Sequence, residues 1–214
     1  MSQSFDYDIY WRQLRSPQVR SHLMAREEIF LKWIKEGSRV LDAAVGNSLL
    51  PSIIQEKKKS RVTVYDISPI VIEKQKERGL EAWVRDLTDA RFSLTENYDY
   101  IILSEILEHL AVPEVLLEKI RVNTQYLMIS IPNIAFYHHR LSLIGGRFPK
   151  QFGCHPAEHL RYWSHKDFLK WLSDLNLKTV GYEVSNGLDI FKIRFYKYFF
   201  PNLLGNQICY LVKT

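Results

Sequence analysis

The sequence predicts an α/β fold, a doubly wound and mostly parallel sheet of Rossmann-like type with an antiparallel strand at its C-terminal edge. Three observations carry that prediction. Strand-sized apolar runs alternate with helix-period segments up to about Asn133, and strands separated by helices pair in parallel through right-handed crossovers. The run in "YDYIILSEIL" is nearly continuous rather than alternating, as a strand covered on both faces should be. Acidic residues close three successive strands, at Asp42, Asp66 and Asp86, with a glycine turn after the first.

Each element has a local cause. "HLMAREEIFLKWIKEG" has apolar residues at helical spacing and ends at Gly37, a suitable left-handed cap. "SRVLDA" is the first strand. "SLLPSIIQEKKK" is a short helix that tolerates Pro51 in its first turn, where the missing N–H has no partner to lose. "RVTVYDI" is rich in β-branched residues and forms the second strand. "SPIVIEKQKERG" opens with Ser68 as N-cap and Pro69 at the first helical position, and closes at Gly79. "LEAWVRDL" is the third strand and "YDYIILSEIL" the fourth. "VPEVLLEKIRV" is the next helix, and "YLMISIPN" is a fifth strand stopped by Pro132.

Beyond Asn133 the pattern loosens. "IAFYHHRLSLIGG" is helical as far as Gly145-Gly146, and residues 145–163 form a lid-like loop without periodicity, of a length that loops in compact domains reach when they carry function. "SHKDFLKWLSDLNL" restarts a helix with Ser164 as N-cap and Asp167 three residues on. "KTVGYEV" and "QICYLVK" pair as an antiparallel edge. With no repeat, linker or low-complexity segment, residues 1–214 read as a single domain, and residues 1–37 as its N-terminal helical segment.

Composition narrows the function classes. Hydrophobic residues at 46% and charged residues at 25% are those of a soluble globular protein. The apolar runs fall well short of the roughly 20 residues of a membrane span, and the acidic, aromatic start lacks the pattern of a secretory signal. Two cysteines, Cys154 and Cys209, argue against a disulfide framework. The cytoplasm is the expected location. A net charge of +5 raises nucleic acid as a partner, but the only compact basic block, Lys57 to Arg61, reads as a solvated helix end, and none is expected.

Ligands of open α/β sheets bind beyond the carboxyl ends of the strands. A carboxylate ending the second strand, Asp66, can accept both hydroxyls of a ribose. Gly46 permits left-handed backbone or close approach to a ligand. Asp86 can accept from an adenine amino group, and Asp42 can brace the loop or face an ammonium group. The fourth strand ends at Ser104 and Glu105. The loop lacks a P-loop lysine, and no basic residue is placed for a phosphate. An adenosyl group with an amino-acid tail suits such a pocket, which points to S-adenosylmethionine.

"VLDAAVGNSLL", "VTVYDISPIVIEKQKERG", "VRDL" and "YDYIILSEILEHL" resemble the successive motifs of the class I S-adenosylmethionine-dependent methyltransferases. "SIPNIAFYHHRLSLIGGRFP" is similar to the region after the fifth strand in the MetW proteins of methionine biosynthesis, and "AEHLRYWSHKDFLKWL" is similar to both that group and the ubiquinone-type methyltransferases. The resemblance implies that Asp42, Ala43, Ala44 and Gly46 hold the methionine part, Asp66 the ribose, and Asp86 with Leu87 the adenine, with Ile67 also among the cofactor-binding residues. Ser104 and Glu105 would lie under the reactive sulfur, with S-adenosylhomocysteine as product. His109 and His159 are the candidate proton acceptors for a hydroxyl substrate. The implied acceptor is a small molecule. The MetW likeness also implies a protein partner, a homoserine acyltransferase.

The chain departs from the family turn, which reads Asp-x-Gly-x-Gly-x-Gly, at Ala44 and Ser48. If Ala44 takes a positive φ, the cost is about 1 kcal/mol. Two functions therefore follow: a methyltransferase acting on a small molecule, or a weakened methyltransferase-like module that regulates or escorts a partner protein. "HPAEH" matches a zinc-protease spacing, but a lid facing substrate is the better use of His159, Arg161, Tyr162 and Trp163, and no metal is expected. Phe191 to Gly205 interleaves aromatic and basic residues, as in a membrane-surface segment, an acceptor-pocket wall or a packed segment with outward lysines; the last is preferred. Tyr7, Tyr10 and Trp11 either close over the cofactor or anchor the N-terminus.

Overall fold

The computed structural model describes residues 10–11, 18–151, 158–188 and 199–214. Its strands are β1 (Arg39–Ala43), β2 (Arg61–Asp66), β3 (Glu81–Val84), β4 (Tyr98–Ser104), β5 (Thr124–Pro132), β6 (Lys178–Gly187) and β7 (Gly205–Lys213). The helices are α1 (Ala25–Trp33), α2 (Leu50–Lys58), α3 (Pro69–Lys76), α4 (Pro113–Ile120), α5 (Tyr137–Ile144), α6 (His165–Asp174) and the single turn α7 (Pro201–Leu204). All seven strands share one sheet in the order β3-β2-β1-β4-β5-β7-β6. The first five pair in parallel, and β7 runs antiparallel to both β5 and β6. The expected antiparallel C-terminal pair is present, with the last strand inside the sheet and β6 at the edge.

Period-two alternation divides the core between the two faces. Val40, Val62, Val64, Ile102 and Met128 face one layer with Phe30 of α1, Leu50 and Ile54 of α2 and Val71 and Ile72 of α3. Leu41, Ile101, Leu103, Leu127 and Ile129 face the other, with Leu116, Leu117 and Ile120 of α4 and Phe168 and Leu172 of α6. Each fully buried side chain of this kind contributes about 1.5–3 kcal/mol, so both apolar faces of the central strands are needed.

Local signals place most boundaries. Pro51 and Pro69 stand in the first turns of α2 and α3. Ser164 caps α6, its Oγ accepting from the Asp167 N–H at 3.1 Å and donating to the Asp167 carboxylate at 2.6 Å. One cap differs. Helix α1 stops at Trp33 rather than reaching Gly37, because Ile34 turns to extended backbone and enters the core. Gly37, at φ +74°, serves the turn into β1 instead. The Lys57–Arg61 block lies at the end of α2 and the start of β2, the rim opposite the carboxyl ends of the parallel strands.

Asn133, completely buried, ties the corner after β5 to three other segments. Its Nδ2 donates to the Asn202 and Gly205 carbonyls at 3.1 and 2.7 Å. Its Oδ1 accepts from the Ala135 and His165 N–H groups at 3.1 and 3.2 Å. Gly205 is required there, since a Cβ would stand 2.7 Å from the Pro201 carbonyl oxygen. Of the segment Phe191 to Gly205, residues 191–198 lie outside the described residues. Among the described residues no helix is long and apolar enough to cross a membrane.

Candidate functional site

The carboxyl ends of β1 to β4 frame a cavity of about 480 Å³. Asp42, Ala44, Gly46, Asp66, Ile67, Asp86, Leu87, Ser104, Glu105, His109 and His159 all line it. Ala43 does not: its alternation along β1 turns it into the hydrophobic core beside Leu41. Tyr10 and Trp11 also line the cavity, and a Cβ on Gly46 would stand 3.3 Å from the Trp11 ring. Tyr7, His155 and Cys154 lie outside the described residues, so the "HPAEH" pattern has no placement.

The loop after β1 keeps the geometry of a glycine turn. Ala44 has φ +74° and Gly46 φ +54°, so the alanine bears the strain expected of it. The Ala44 and Val45 N–H groups both donate to the Tyr65 carbonyl at 2.9 Å. Asp66, at the end of β2, receives the Gly46 N–H on Oδ2 at 2.8 Å and the Ser68 N–H on Oδ1 at 2.9 Å. The Gln75 amide clamps the far side, donating to the Gly46 and Ser48 carbonyls at 3.0 Å each. Asp86 is exposed on the rim, where its Oδ1 braces its own turn by accepting from Thr88.

Ser48 is not simply a lost glycine. Its hydroxyl donates to the Glu27 carboxylate at 2.6 Å and accepts from the Leu50 N–H at 3.1 Å. Glu27, only 2% exposed, also pairs with Arg20, which in turn donates to the Asn47 side chain at 3.1 Å. The segment before β1 thus clamps the loop through buried polar groups. Sequence reasoning missed this: it placed no basic residue at the site, whereas Arg20, Arg26 and Arg85 line the cavity. Arg26 donates to the Ser104 hydroxyl at 3.0 Å. A signal existed, since Glu27 stands three residues before Phe30 on the buried face of α1, where an unpaired charge is not tolerated.

Asp42 is 2% exposed, with Oδ1 lacking a hydrogen-bond partner among the described residues. Burial first, then the Glu27 and Asp66 charges, push its carboxyl up to about 8. In the unfolded chain the same group ionises near 3.8. Between these values the folded state holds a proton that the unfolded state has released, so stability falls as pH rises through the window. Asp42→Asn removes this titration. The variant is expected to gain stability over the parent as pH rises from about 5 to about 8 in urea unfolding, and parallel pH profiles count against the shift.

The fourth strand delivers a second polar group. Glu105 has φ +54°, held by its N–H donating to the Ser130 carbonyl at 3.2 Å, and leaves Oε1 unpartnered among the described residues. A short 3₁₀ turn, Leu107–His109, then presents Glu108 and His109. Glu108 is 1% exposed, and neither carboxylate oxygen has a hydrogen-bond partner among the described residues. Burial and then Glu105 raise its carboxyl well above the usual range. The His109 and His159 rings meet edge to face with centroids 4.8 Å apart. Burial lowers both, His159 to about 4 with the help of His109, so both are neutral proton acceptors near neutral pH. The segment before α6 enters here, the Leu160 and Arg161 N–H groups donating to the Glu108 carbonyl at 2.7 and 3.1 Å.

Five parallel strands ended by an inserted antiparallel strand, with a cavity over acidic strand ends, define the class I S-adenosylmethionine-dependent methyltransferase fold. A methyltransferase of that cofactor class from Archaeoglobus fulgidus superposes with a TM-score of 0.66 at 16% identity, covering 99% of this chain and 100% of that one. The [4+2]-cyclase SpnF superposes at 0.65 with 12% identity, covering 97% and 93%. A putative methyltransferase in complex with the Trm112 activator of Haloferax volcanii gives 0.62 and 15%, covering 88% of each chain. No curated protein sequence matches the chain significantly. The family described as methionine biosynthesis protein MetW matches residues 25–212, and the chain belongs to that family.

Proposed function

We propose that the chain is an S-adenosylmethionine-dependent methyltransferase acting on a small molecule, working as one domain in the cytoplasm. The observation that carries this reading is the loop from Asp42 to Ser48, which keeps left-handed backbone at two family glycine positions and stays braced to Asp66. The residues present suit the cofactor. Gly46, without a Cβ, lets the Trp11 ring pack against the loop at the cavity wall, and Asp42 and Glu105 each bring to the cavity an oxygen without a partner among the described residues.

The roles follow from position. Asp66 accepts the Gly46 and Ser68 N–H groups at the end of β2, and a carboxylate in that position can accept from the hydroxyls of a ribose. Ile67 and Leu87 form apolar walls for the adenine, with Asp86 at the rim. Asp42 faces the amino-acid tail, whose ammonium favours the ionised carboxylate. When bound, the cofactor supplies a methyl group on an already activated sulfonium, so alignment provides most of the acceleration. Ser104 and Glu105 orient the reacting end, Tyr10 and Trp11 exclude water beside Gly46, and His109 or His159 takes a proton from a hydroxyl acceptor.

Two observations favour a second reading, a module that escorts a partner protein. Ala44 is strained at φ +74°, and α5 leaves Leu141, Leu143 and Ile144 exposed. Calorimetry with S-adenosylhomocysteine tests both readings. Saturable one-to-one binding is expected, and neither heat nor a thermal shift at millimolar ligand overturns the proposal. Ala44→Gly is expected to raise stability by about 1 kcal/mol by relieving the backbone. For an enzyme its affinity stays within a few-fold of the parent; a rise beyond about tenfold, 1.4 kcal/mol, marks a decayed loop and favours the escort.

A further inference from the structure

The methyl-transfer reading uses His109 or His159 only as a proton acceptor and gives the neighbouring Glu108 no role. Each of the three offers one ligand atom, and these atoms all lie within 4.8 Å of one another at the cavity wall. We propose that Glu108, His109 and His159 bind a divalent first-row transition-metal ion, a site independent of the cofactor pocket's glycine loop. Two imidazoles and one carboxylate are a ligand set that such ions take, with the remaining positions open. Those positions face the cavity.

Three features beyond proximity point to a ligand. The Glu108 carboxyl group is 1% exposed, with both oxygens unpartnered among the described residues, whereas buried polar groups nearly always have a partner. The His109 ring donates from Nδ1 to the Glu158 carbonyl, which can only accept. That bond fixes the tautomer and leaves Nε2 bare, as in metal-ligating histidines held by a backbone carbonyl. On His159, Nδ1 is likewise buried and without a partner among the described residues.

The two ligand-bearing segments are also locked together before any ion arrives. Besides the His109–Glu158 bond, the Leu160 and Arg161 N–H groups both donate to the carbonyl of Glu108 itself. No two of the three ligand atoms are more than 4.8 Å apart. A tetrahedral ion with bonds near 2.1 Å sets its ligands about 3.4 Å apart, so side-chain adjustments of about 1 Å close the site.

Tag-free protein stripped with EDTA and titrated with zinc chloride and manganese chloride in a calorimeter tests the site, with the visible absorption of added cobalt(II) as a second readout. One equivalent of metal is expected to bind, cobalt(II) giving ligand-field bands of nitrogen and oxygen coordination. Glu108→Gln and His159→Ala, each checked by circular dichroism for folding, are expected to weaken binding at least about tenfold. Absence of saturable binding overturns the site, and so does binding that both variants leave unchanged, which places the ion elsewhere. S-adenosylhomocysteine is titrated into the same stripped protein. Metal binding without nucleoside binding supports the metal site and counts only against the methyltransferase reading; the converse overturns the metal site alone.

Discussion

Asp66→Ala is expected to weaken S-adenosylhomocysteine binding by about a hundredfold or more. Two ribose hydroxyls lose a charge-assisted acceptor, each bond worth about 1.5–3 kcal/mol, and a total near 3 kcal/mol is more than a hundredfold in affinity. The same substitution strips the Gly46 and Ser68 N–H groups of their acceptors at 2.8 and 2.9 Å. The loop therefore loses its brace as well as its ligand contact, and the melting temperature should fall with the affinity. Asp66→Asn keeps one oxygen acceptor and should lie between the two. Calorimetry on all three proteins checks the order, and an affinity unchanged in Asp66→Ala removes this residue from the cofactor site.

Asn133→Ala is expected to cost about 3–5 kcal/mol of folding stability, the range for breaking a buried hydrogen-bond network. Alanine leaves the Ala135 and His165 N–H groups and the Asn202 and Gly205 carbonyls without the partners they have now. The surrounding backbone is tight, with Gly205 tolerating no Cβ, so relaxation into new hydrogen bonds is limited. Urea unfolding measures the loss. A cost below about 1 kcal/mol means that water or a local shift replaces the amide, and that the corner is held by packing alone.

Much of the fold was legible because its causes are local. Pro51, Pro69 and Ser164 act within a turn of their own positions, and the apolar run of "YDYIILSEIL" reports coverage on both faces wherever the chain sits. The line of Asp42, Asp66 and Asp86 was legible for the same reason, since parallel strands separated by helices send their carboxyl ends to one rim. Ala43 was misplaced because a motif reads as a block, whereas strand alternation points only every other side chain at the cavity. Arg20, Arg26 and Glu27 were missed because their contacts with Asn47, Ser48 and Ser104 span up to 78 residues of chain.

The sequence by itself determined the layered α/β class, the order of its elements and the acidic rim, because hydrophobic period, proline placement and strand-end chemistry are properties of short segments. Only the tertiary structure decided that Ser48 is anchored through Glu27 rather than lost. It alone also brought His159 from the segment before α6 to Glu108 and His109, because burial and charge pairing are set by which distant segments share a low-dielectric space, and neighbours along the chain do not encode that.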